Sequence, residues 1–316
     1  MQAAEGKGAG RFAPSPSGDL HIGNVRTGML AYLWARGSGR RFLWRDEDLD
    51  RVRAGAAERQ LAEFRALGVR IDGAPVAQSA RTAGYADACA RLEEAGLVYE
   101  CFCSRRDILA APSAPHAPPG AYPGTCRDLD EGQRAQARER LRSQGRSPAL
   151  RLRTDGGERT VGDEVRGEVT ARLDDLVLRR GDGVWAYNLA VVVDDGEMGI
   201  DQVVRGDDLA SSAPRQAHLA ELLGLPVPQY AHVPLVLGPT GQRLAKRDGA
   251  VTLAQLAGTG FDLWAWMGES LGFGPWTGLD DALAGFDPAR MVREPVVFDP
   301  DANACGAHAR SAMTSR

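Results

Sequence analysis

The pattern of apolar and polar positions predicts short strands that alternate with helices. Short apolar runs with the length of strands occupy residues 40–45, 149–153, 175–180 and 233–237. Helices are predicted at residues 54–67, 82–95, 131–145, 212–223 and 261–271. Gly68 and Gly96 end the first two of these helices, and alternation of strands and helices at this spacing is typical of a parallel sheet covered by helices. We therefore predict an α/β fold.

Residues 11–24 change from a strand pattern to a helix pattern within a few positions. The strand is expected to stop at Pro14 and Pro16, because proline cannot donate to a central ladder. Ser17 or Asp19 is the expected N-cap of the helix that follows. The segment therefore predicts a sharp turn from a strand into a helix.

His21 and Gly23 fall in the first turn of this helix. Helix N-terminal amides attract anions, and a glycine lets a ligand approach the backbone closely. A histidine can donate a hydrogen bond to an anionic oxygen. The pattern suits a bound phosphate, although a capped surface helix with an incidental histidine has the same spacing.

Acidic residues follow the strand at residues 40–45, and Glu47 is placed to meet a ligand ammonium or a ribose hydroxyl. A solvated acidic turn is the alternative. Farther along, residues 184–195 form a nearly continuous apolar run that predicts a buried element, with Tyr187 as a polar exception at its start. Arg205 is expected at the end of another strand.

Three of the five cysteines, Cys101, Cys103 and Cys126, lie within 26 residues. They do not form the pattern of a disulfide framework, and three clustered thiolates favour a zinc site, which needs a fourth ligand. Spacing alone leaves the fourth ligand open between His116, Tyr122 and Asp128. Reduced, half-buried thiols are the alternative.

Composition limits the classes of function. The chain has 316 residues, 43% of them hydrophobic and 25% charged, and a formal net charge of −4. These values are ordinary for a globular protein, so nucleic-acid binding would need a local basic patch. No apolar run is long enough to cross a bilayer, and the first ten residues lack the apolar core of a signal peptide. We expect a cytoplasmic protein that does not bind membranes.

Two strings resemble the start of class I aminoacyl-tRNA synthetases of the glutamyl and glutaminyl subgroup: Arg11-Phe12-Ala13-Pro14-Ser15-Pro16 and His21-Ile22-Gly23-Asn24. Asn24 replaces the second histidine of the family's His-Ile-Gly-His signature. The glycine-rich segment at residues 238–249 resembles the second signature, Lys-Met-Ser-Lys-Ser, with Arg243 and Lys246 at its two lysine positions and Ala245 at its first serine. Only Lys7 and Lys246 are lysine among 38 basic residues.

The resemblance implies a Rossmann-like catalytic domain that activates glutamate with ATP and Mg²⁺. It implies His21 and Lys246 as catalytic residues. The implied ATP-binding residues are His21, Gly23, Asn24, Arg243 and Lys246. The implied L-glutamate-binding residues are Arg11, Ala13, Ser15, Glu47, Tyr187 and Arg205. Arg11 is favoured for the side-chain carboxylate of glutamate.

A shorter branch of the family, the glutamyl-queuosine tRNA(Asp) synthetases, carries Cys-x-Cys, then tyrosine, then cysteine in its zinc insertion. This pattern implies one structural Zn²⁺ held by Cys101, Cys103, Tyr122 and Cys126. Only 67 residues follow Gly249, too few for the helical anticodon-binding domain of full glutamyl-tRNA synthetases. The resemblance therefore implies transfer of glutamate to queuosine in tRNA(Asp) by a monomer without that domain.

Two alternatives remain: a minimal enzyme that charges the 3′ end of tRNA(Glu), and a non-catalytic nucleotide- or tRNA-binding regulator. The predicted organisation is the same for all three. It comprises a flexible tail (1–9), a first catalytic half (10–99), a zinc-binding insertion (100–150), a second catalytic half with the signature loop (151–250), a helical C-terminal region (251–304) and a disordered tail (305–316).

Overall fold

A computed structural model describes residues 8–110, 122–242, 244 and 251–300 of the chain. Its strands are β1 (Ala9–Phe12), β2 (Arg41–Asp46), β3 (Val76–Ala77), β4 (Val98–Cys101), β5 (Ala149–Leu152), β6 (Glu158–Asp163), β7 (Gly167–Arg172), β8 (Val177–Arg179), β9 (Ile200–Gly206), β10 (Gln229–Val233), β11 (Val236–Leu237) and β12 (Val296–Val297). Its α-helices are α1 (Ile22–Gly37), α2 (Ala56–Ala66), α3 (Thr82–Glu94), α4 (Arg105–Ala110), α5 (Glu131–Ser143), α6 (Tyr187–Glu197), α7 (Ala213–Leu222), α8 (Leu253–Leu256), α9 (Leu263–Ser270) and α10 (Leu279–Gly285).

The main sheet has seven strands in the order β3-β2-β1-β9-β10-β6-β7. Every pairing in it is parallel except that of β6 with β7. This arrangement confirms the predicted α/β fold. The chain runs outward from β1 through β2 to β3 on one side and from β9 to β10 on the other. The strand order therefore reverses between β1 and β9, where open parallel sheets bind ligands at the carboxyl ends of their strands.

Helix α1 is buried on almost its whole circumference. A Cβ atom at Gly28 would lie 2.4 Å from the Phe64 ring, so only glycine allows α1 and α2 to pack this closely. On the opposite side, Arg26 of α1 donates to the carbonyl oxygen of Pro234 at 2.9 Å and to the hydroxyl of Ser270 at 3.0 Å. Burial lowers the pKa of Arg26 to about 10. These contacts fasten the C-terminal helices to the helix that begins at the site.

A second sheet of three antiparallel strands, in the order β4-β5-β8, lies beside the main one. In it Glu100 pairs with Leu150, and Cys101 with Ala149. Residues 102–148, which include α4 and α5, therefore leave and re-enter this sheet at directly opposed positions.

One predicted element differs in extent, and the structure gives another, predicted only as buried, its type. The strand expected at residues 233–237 is two strands, because β10 ends at Val233 and β11 begins at Val236, with Pro234 between them. The buried apolar run at residues 184–195 belongs mostly to a helix, α6. Among the described residues, no helix combines the length and the apolar character needed to span a bilayer.

Candidate active site

A cavity of about 1790 Å³ opens at the carboxyl ends of β1, β2 and β9 and extends to the region of the three cysteines. We call these two parts the sheet end and the cysteine end. Nine of the residues predicted to bind ATP or glutamate line the cavity: Arg11, Ala13, Ser15, His21, Gly23, Asn24, Glu47, Tyr187 and Arg205. Arg243 and Lys246 lie outside the described residues.

His21, not Ser17 or Asp19, is the N-cap of α1. Its Nδ1 accepts hydrogen bonds from the backbone N–H groups of Gly23 at 3.1 Å and Asn24 at 3.2 Å. The helix begins later than expected because the loop before it is fixed elsewhere; for example, the N–H of Glu47 donates to the carbonyl of Pro14 at 3.0 Å.

The capping hydrogen bonds determine which nitrogen of the neutral His21 ring carries the proton. Since Nδ1 accepts, the neutral ring holds its proton on Nε2 and can donate from that atom. Gly23 is needed for this arrangement, because a Cβ atom there would come within 3.1 Å of the imidazole.

The residues that follow the second signature in the sequence contact the start of α1, next to His21. The N–H of Ile22 donates to the carbonyl of Val251 at 2.9 Å, and His21 forms an isolated β-bridge with Thr252. Leu244, on the near side, is buried and lines the cavity. The two flanks of residues 245–250 therefore lie in the cavity lining and beside the start of α1, respectively.

At the sheet end, Arg11 is 4% exposed and is held by Asp195 of α6. The Arg11 Nε donates to the Asp195 carboxylate at 3.3 Å, and Arg45 Nη1 donates to the same oxygen at 2.6 Å. Burial raises the pKa of Asp195, but the two guanidinium groups outweigh it and lower the pKa below the ordinary value. Asp195 is therefore ionised, and its carboxylate orients the guanidinium group of Arg11.

Arg45 also faces Glu47, with 3.5 Å between Nη2 and a carboxylate oxygen. Burial raises the pKa of Glu47 more than Arg45 and Arg11 lower it. A ligand ammonium beside Glu47 would favour the ionised form of the Glu47 carboxylate.

Asp194, the residue before Asp195, accepts from the hydroxyl of Tyr85 at 2.9 Å and from Gln78 at 2.7 Å.

Arg205, at the end of β9, is held by neutral groups. Its Nε donates to His232 Nε2 at 3.0 Å, and its Nη1 donates to Gln216 at 2.8 Å. Gln216 in turn donates to Asn188 at 2.9 Å. Tyr187, the first residue of α6, is 37% exposed into the cavity, and its pKa is raised, chiefly by burial, so that its hydroxyl stays protonated.

The sequence reasoning missed the residues that hold these arginines: Asp194, Asp195, Gln216 and His232. Asp194 and Asp195 at the end of the apolar run were a local signal, because a carboxylate within a buried helix requires a cation. The partnership of Arg205 with His232 joins two strands and had no local signal.

At the cysteine end, the thiols of Cys101, Cys103 and Cys126 lie within 4.8 Å of one another, and the Cys103 and Cys126 sulfurs are 3.5 Å apart. Four ligands at the usual Zn–S distance would be about 3.8 Å apart at the corners of a tetrahedron. The donor set and its spacing therefore fit a zinc ion.

Of the three candidate fourth ligands, Tyr122 lies at the cluster, where its hydroxyl accepts from the N–H of Cys126 at 2.8 Å. Asp128 instead pairs with Arg153 at 2.9 Å, and His116 lies outside the described residues. The guanidinium carbon of Arg151 stacks 3.7 Å from the Tyr122 ring centroid, and both residues line the cavity. The cluster and the cavity thus share a wall.

The chain is similar to a family of known proteins over most of its length. Residues 9–267 match the model of the catalytic domain of class I tRNA synthetases (E and Q). A glutamyl-Q tRNA(Asp) synthetase from Nocardia farcinica is 60% identical over 94% of this chain and 95% of its own length. One from Cutibacterium acnes is 53% identical over 84% of this chain and 76% of its own length.

Longer relatives match as well. A glutamate--tRNA ligase from Nitrosospira multiformis is 39% identical over 92% of this chain but 64% of its own length. The structure of a glutamate tRNA ligase from Elizabethkingia meningosepticum, in complex with its amino acid, superimposes with a TM-score of 0.75 and 25% identity over 95% of this chain and 68% of that one. The chain therefore belongs to the class I tRNA synthetases of the glutamyl and glutaminyl group.

Proposed function

We propose that this protein activates L-glutamate with ATP and transfers the glutamyl group to queuosine in tRNA(Asp). The observation that carries the proposal is the sheet end of the cavity, where two buried arginines, the half-buried carboxylate of Glu47 and the start of α1 line one space. The high identity to proteins named glutamyl-Q tRNA(Asp) synthetase favours this acceptor over the 3′ end of tRNA(Glu). It also favours an enzyme over a non-catalytic regulator.

Glutamate carries two carboxylates and one ammonium, and the sheet end offers matching charges. Arg11 and Arg205 have permanently charged, forked guanidinium groups that suit carboxylates. Glu47 would bind the ammonium, and the Tyr187 hydroxyl would donate to a carboxylate. Ala13 and Ser15 line the same part of the cavity, and their small side chains leave room for the amino acid.

ATP would place its phosphates at the start of α1. The helix N-terminus, Gly23 and Asn24 would contact the phosphates, and the Nε2 proton of His21 would be donated to a phosphate oxygen. Arg243 and Lys246 would add positive charge; support for this comes from the residues on either side of Lys246 in the sequence, because Leu244 lines the cavity and Val251 contacts the start of α1. Mg²⁺ would arrive with ATP as part of the substrate.

The reaction would begin with attack of the glutamate α-carboxylate on the α-phosphate and departure of pyrophosphate. The protein's part is to position the two substrates and to stabilise the charge that develops on the phosphate. A hydroxyl of queuosine would then attack the glutamyl carbonyl and release AMP.

The cavity is larger than the roughly 300–1,000 Å³ of most small-molecule sites, which leaves room for a nucleotide of the tRNA. Three exposed arginines in its lining, Arg51, Arg105 and Arg146, form no salt bridge with any described residue. Cations without an anionic partner suit phosphates of an RNA backbone. We therefore propose that the anticodon arm enters over these arginines.

Zinc at the cysteine end would have a structural role, with Cys101, Cys103, Cys126 and Tyr122 as its ligands. When bound, it would crosslink the end of β4 to residues 122–126. The pairing of Glu100 with Leu150 supports residues 100–150 as an insertion in the catalytic domain.

The test supplies purified protein with radiolabelled glutamate, ATP, and tRNA(Asp) prepared with and without queuosine. We expect label only on the tRNA that carries queuosine, and it should resist removal of the 3′-terminal nucleotide. Label on the 3′ end of tRNA(Glu) would instead identify the minimal glutamyl-tRNA synthetase. A lack of glutamate-dependent exchange of pyrophosphate into ATP would leave only the regulator.

A further inference from the structure

We propose that His232 and Asp163 form a buried pair that positions Arg205 for the substrate carboxylate without neutralising its charge. Asp163 is not among the site residues described above, and His232 appears there only as the acceptor for Arg205. This inference rests on the proposed binding of glutamate by Arg205. His232 and Asp163 are positioning residues, since neither is placed against substrate.

Asp163 ends β6, next to β10, which carries His232. Its carboxylate accepts from His232 Nδ1 at 2.5 Å and from the backbone N–H groups of Val165 at 3.0 Å and Arg166 at 2.9 Å. Asp163 is 5% exposed and His232 1% exposed. The carboxylate is thus fixed by several donors, and it fixes the imidazole ring.

The proton on His232 has one consistent position. An arginine Nε–H can only donate, so His232 Nε2 accepts from Arg205, and the ring proton is on Nδ1, where it points to Asp163. A doubly protonated ring would turn an N–H toward the N–H of Arg205. Burial and the nearby Arg205 also lower the pKa of His232, which favours the neutral ring.

Comparison with Arg11 shows why a neutral partner matters. Asp195 lies directly against Arg11 and balances part of its charge. Arg205 instead meets a neutral imidazole and a neutral amide, with the anion one residue farther away. Within the described part of the chain, three of its five N–H groups donate, to His232, Gln216 and the Leu209 carbonyl, and the other two face no acceptor there and are available to a ligand. Arg205 is thereby oriented with its charge available to a carboxylate.

The test is pyrophosphate exchange with His232→Phe, which keeps a ring of similar size but removes the acceptor. Loss of a hydrogen bond to a charged group predicts a rise of roughly 10- to 100-fold in the KM for glutamate, with the KM for ATP unchanged. His232→Gln restores an acceptor oxygen near the position of Nε2 and should recover much of the loss.

Asp163→Asn gives a second measurement should the phenylalanine variant fail to fold. Its amide nitrogen in place of Oδ2 would donate to His232 Nδ1, so the ring proton would move to Nε2 and oppose Arg205. We expect the same selective rise in the KM for glutamate. Val161→Ala, a truncation two residues earlier on β6 and outside the cavity lining, is the control for lost stability alone.

The results separate the two proposals. An unchanged KM for glutamate in His232→Phe or Asp163→Asn, with normal exchange in the wild type, would overturn the positioning role and leave the proposed function standing. Parallel changes in both KM values, matched by Val161→Ala, would also overturn it. A wild-type protein that shows no glutamate-dependent exchange would overturn both.

Discussion

At the sheet end of the cavity, the arginines Arg11, Arg45 and Arg205 each have partners within the chain, whereas at the cysteine end three thiols face one another. In the first arrangement, carboxylates and neutral acceptors of the chain already hold the guanidinium groups, and Arg205 keeps N–H groups for a ligand. The second has the donor set and the spacing of a metal site. One cavity thus combines a region organised by its own residues with a region that could hold a metal ion.

The largest expected effect is at the cysteine end. Cys103→Ser should abolish zinc binding and unfold residues around the cluster, because metal-binding energy in such a site contributes directly to folding. Elemental analysis and the thermal midpoint measure the two effects. Cys89→Ser is the control, since Cys89 is buried but lies outside the cluster. Full zinc occupancy in Cys103→Ser would rule out the site.

Asp195→Asn should give the largest effect at the sheet end, a loss of about 3–5 kcal/mol in the free energy of unfolding, because Arg11 and Arg45 are both buried and lose the carboxylate that they share. Denaturant titration measures this loss. Asp201→Asn is the control: its pair with Arg40 is partly exposed, and its removal should cost less than about 1 kcal/mol.

The pH dependence tests the same ion pair. The folded-state pKa of Asp195 lies below the ordinary 3.8, so its stabilising contribution is present above 3.8 and is lost as pH falls through the lowered pKa. The difference in the free energy of unfolding between wild type and Asp195→Asn should therefore become smaller at acid pH. A difference that stays constant from pH 7 to pH 3 would contradict this assignment.

The smallest effect concerns a half-buried carboxylate that has no cation. Glu63 of α2 forms no salt bridge among the described residues, and burial together with nearby Asp19 raises its pKa to about 7. Ionised Glu63 destabilises the folded state. This destabilisation is absent below pH 4.5, the ordinary pKa of glutamate, and is complete above pH 7. Glu63→Gln should therefore stabilise the protein by about 1 kcal/mol at pH 8, after allowance for solvent screening, and not at pH 4.

Local patterns in the sequence were enough for much of the fold. The alternation of strands and helices, the strand end at Arg205 and the turn before α1 were confirmed, because each depends on a few neighbouring residues. The predicted N-cap was wrong because of contacts from elsewhere in the sequence. Hydrogen bonds from residues after β2 fix the loop before α1, and the helix therefore begins farther along the chain.

The groups that hold the site were harder to foresee. His232 and Asp163 are 69 residues apart, and Arg11 and Asp195 are 184 apart. Nothing near Arg205 in the sequence indicates that its acceptor is a histidine on the adjacent strand. Strand order had to be known first, and strand order follows from packing of the whole sheet.

The direct pairing of Cys101 with Ala149 has a consequence for protein engineering. Because the two residues face each other across adjacent antiparallel strands, a two-residue turn can close the gap that residues 102–148 now bridge. We expect a chain shortened in this way to keep the path of the seven-stranded sheet, because neither end of the segment belongs to that sheet.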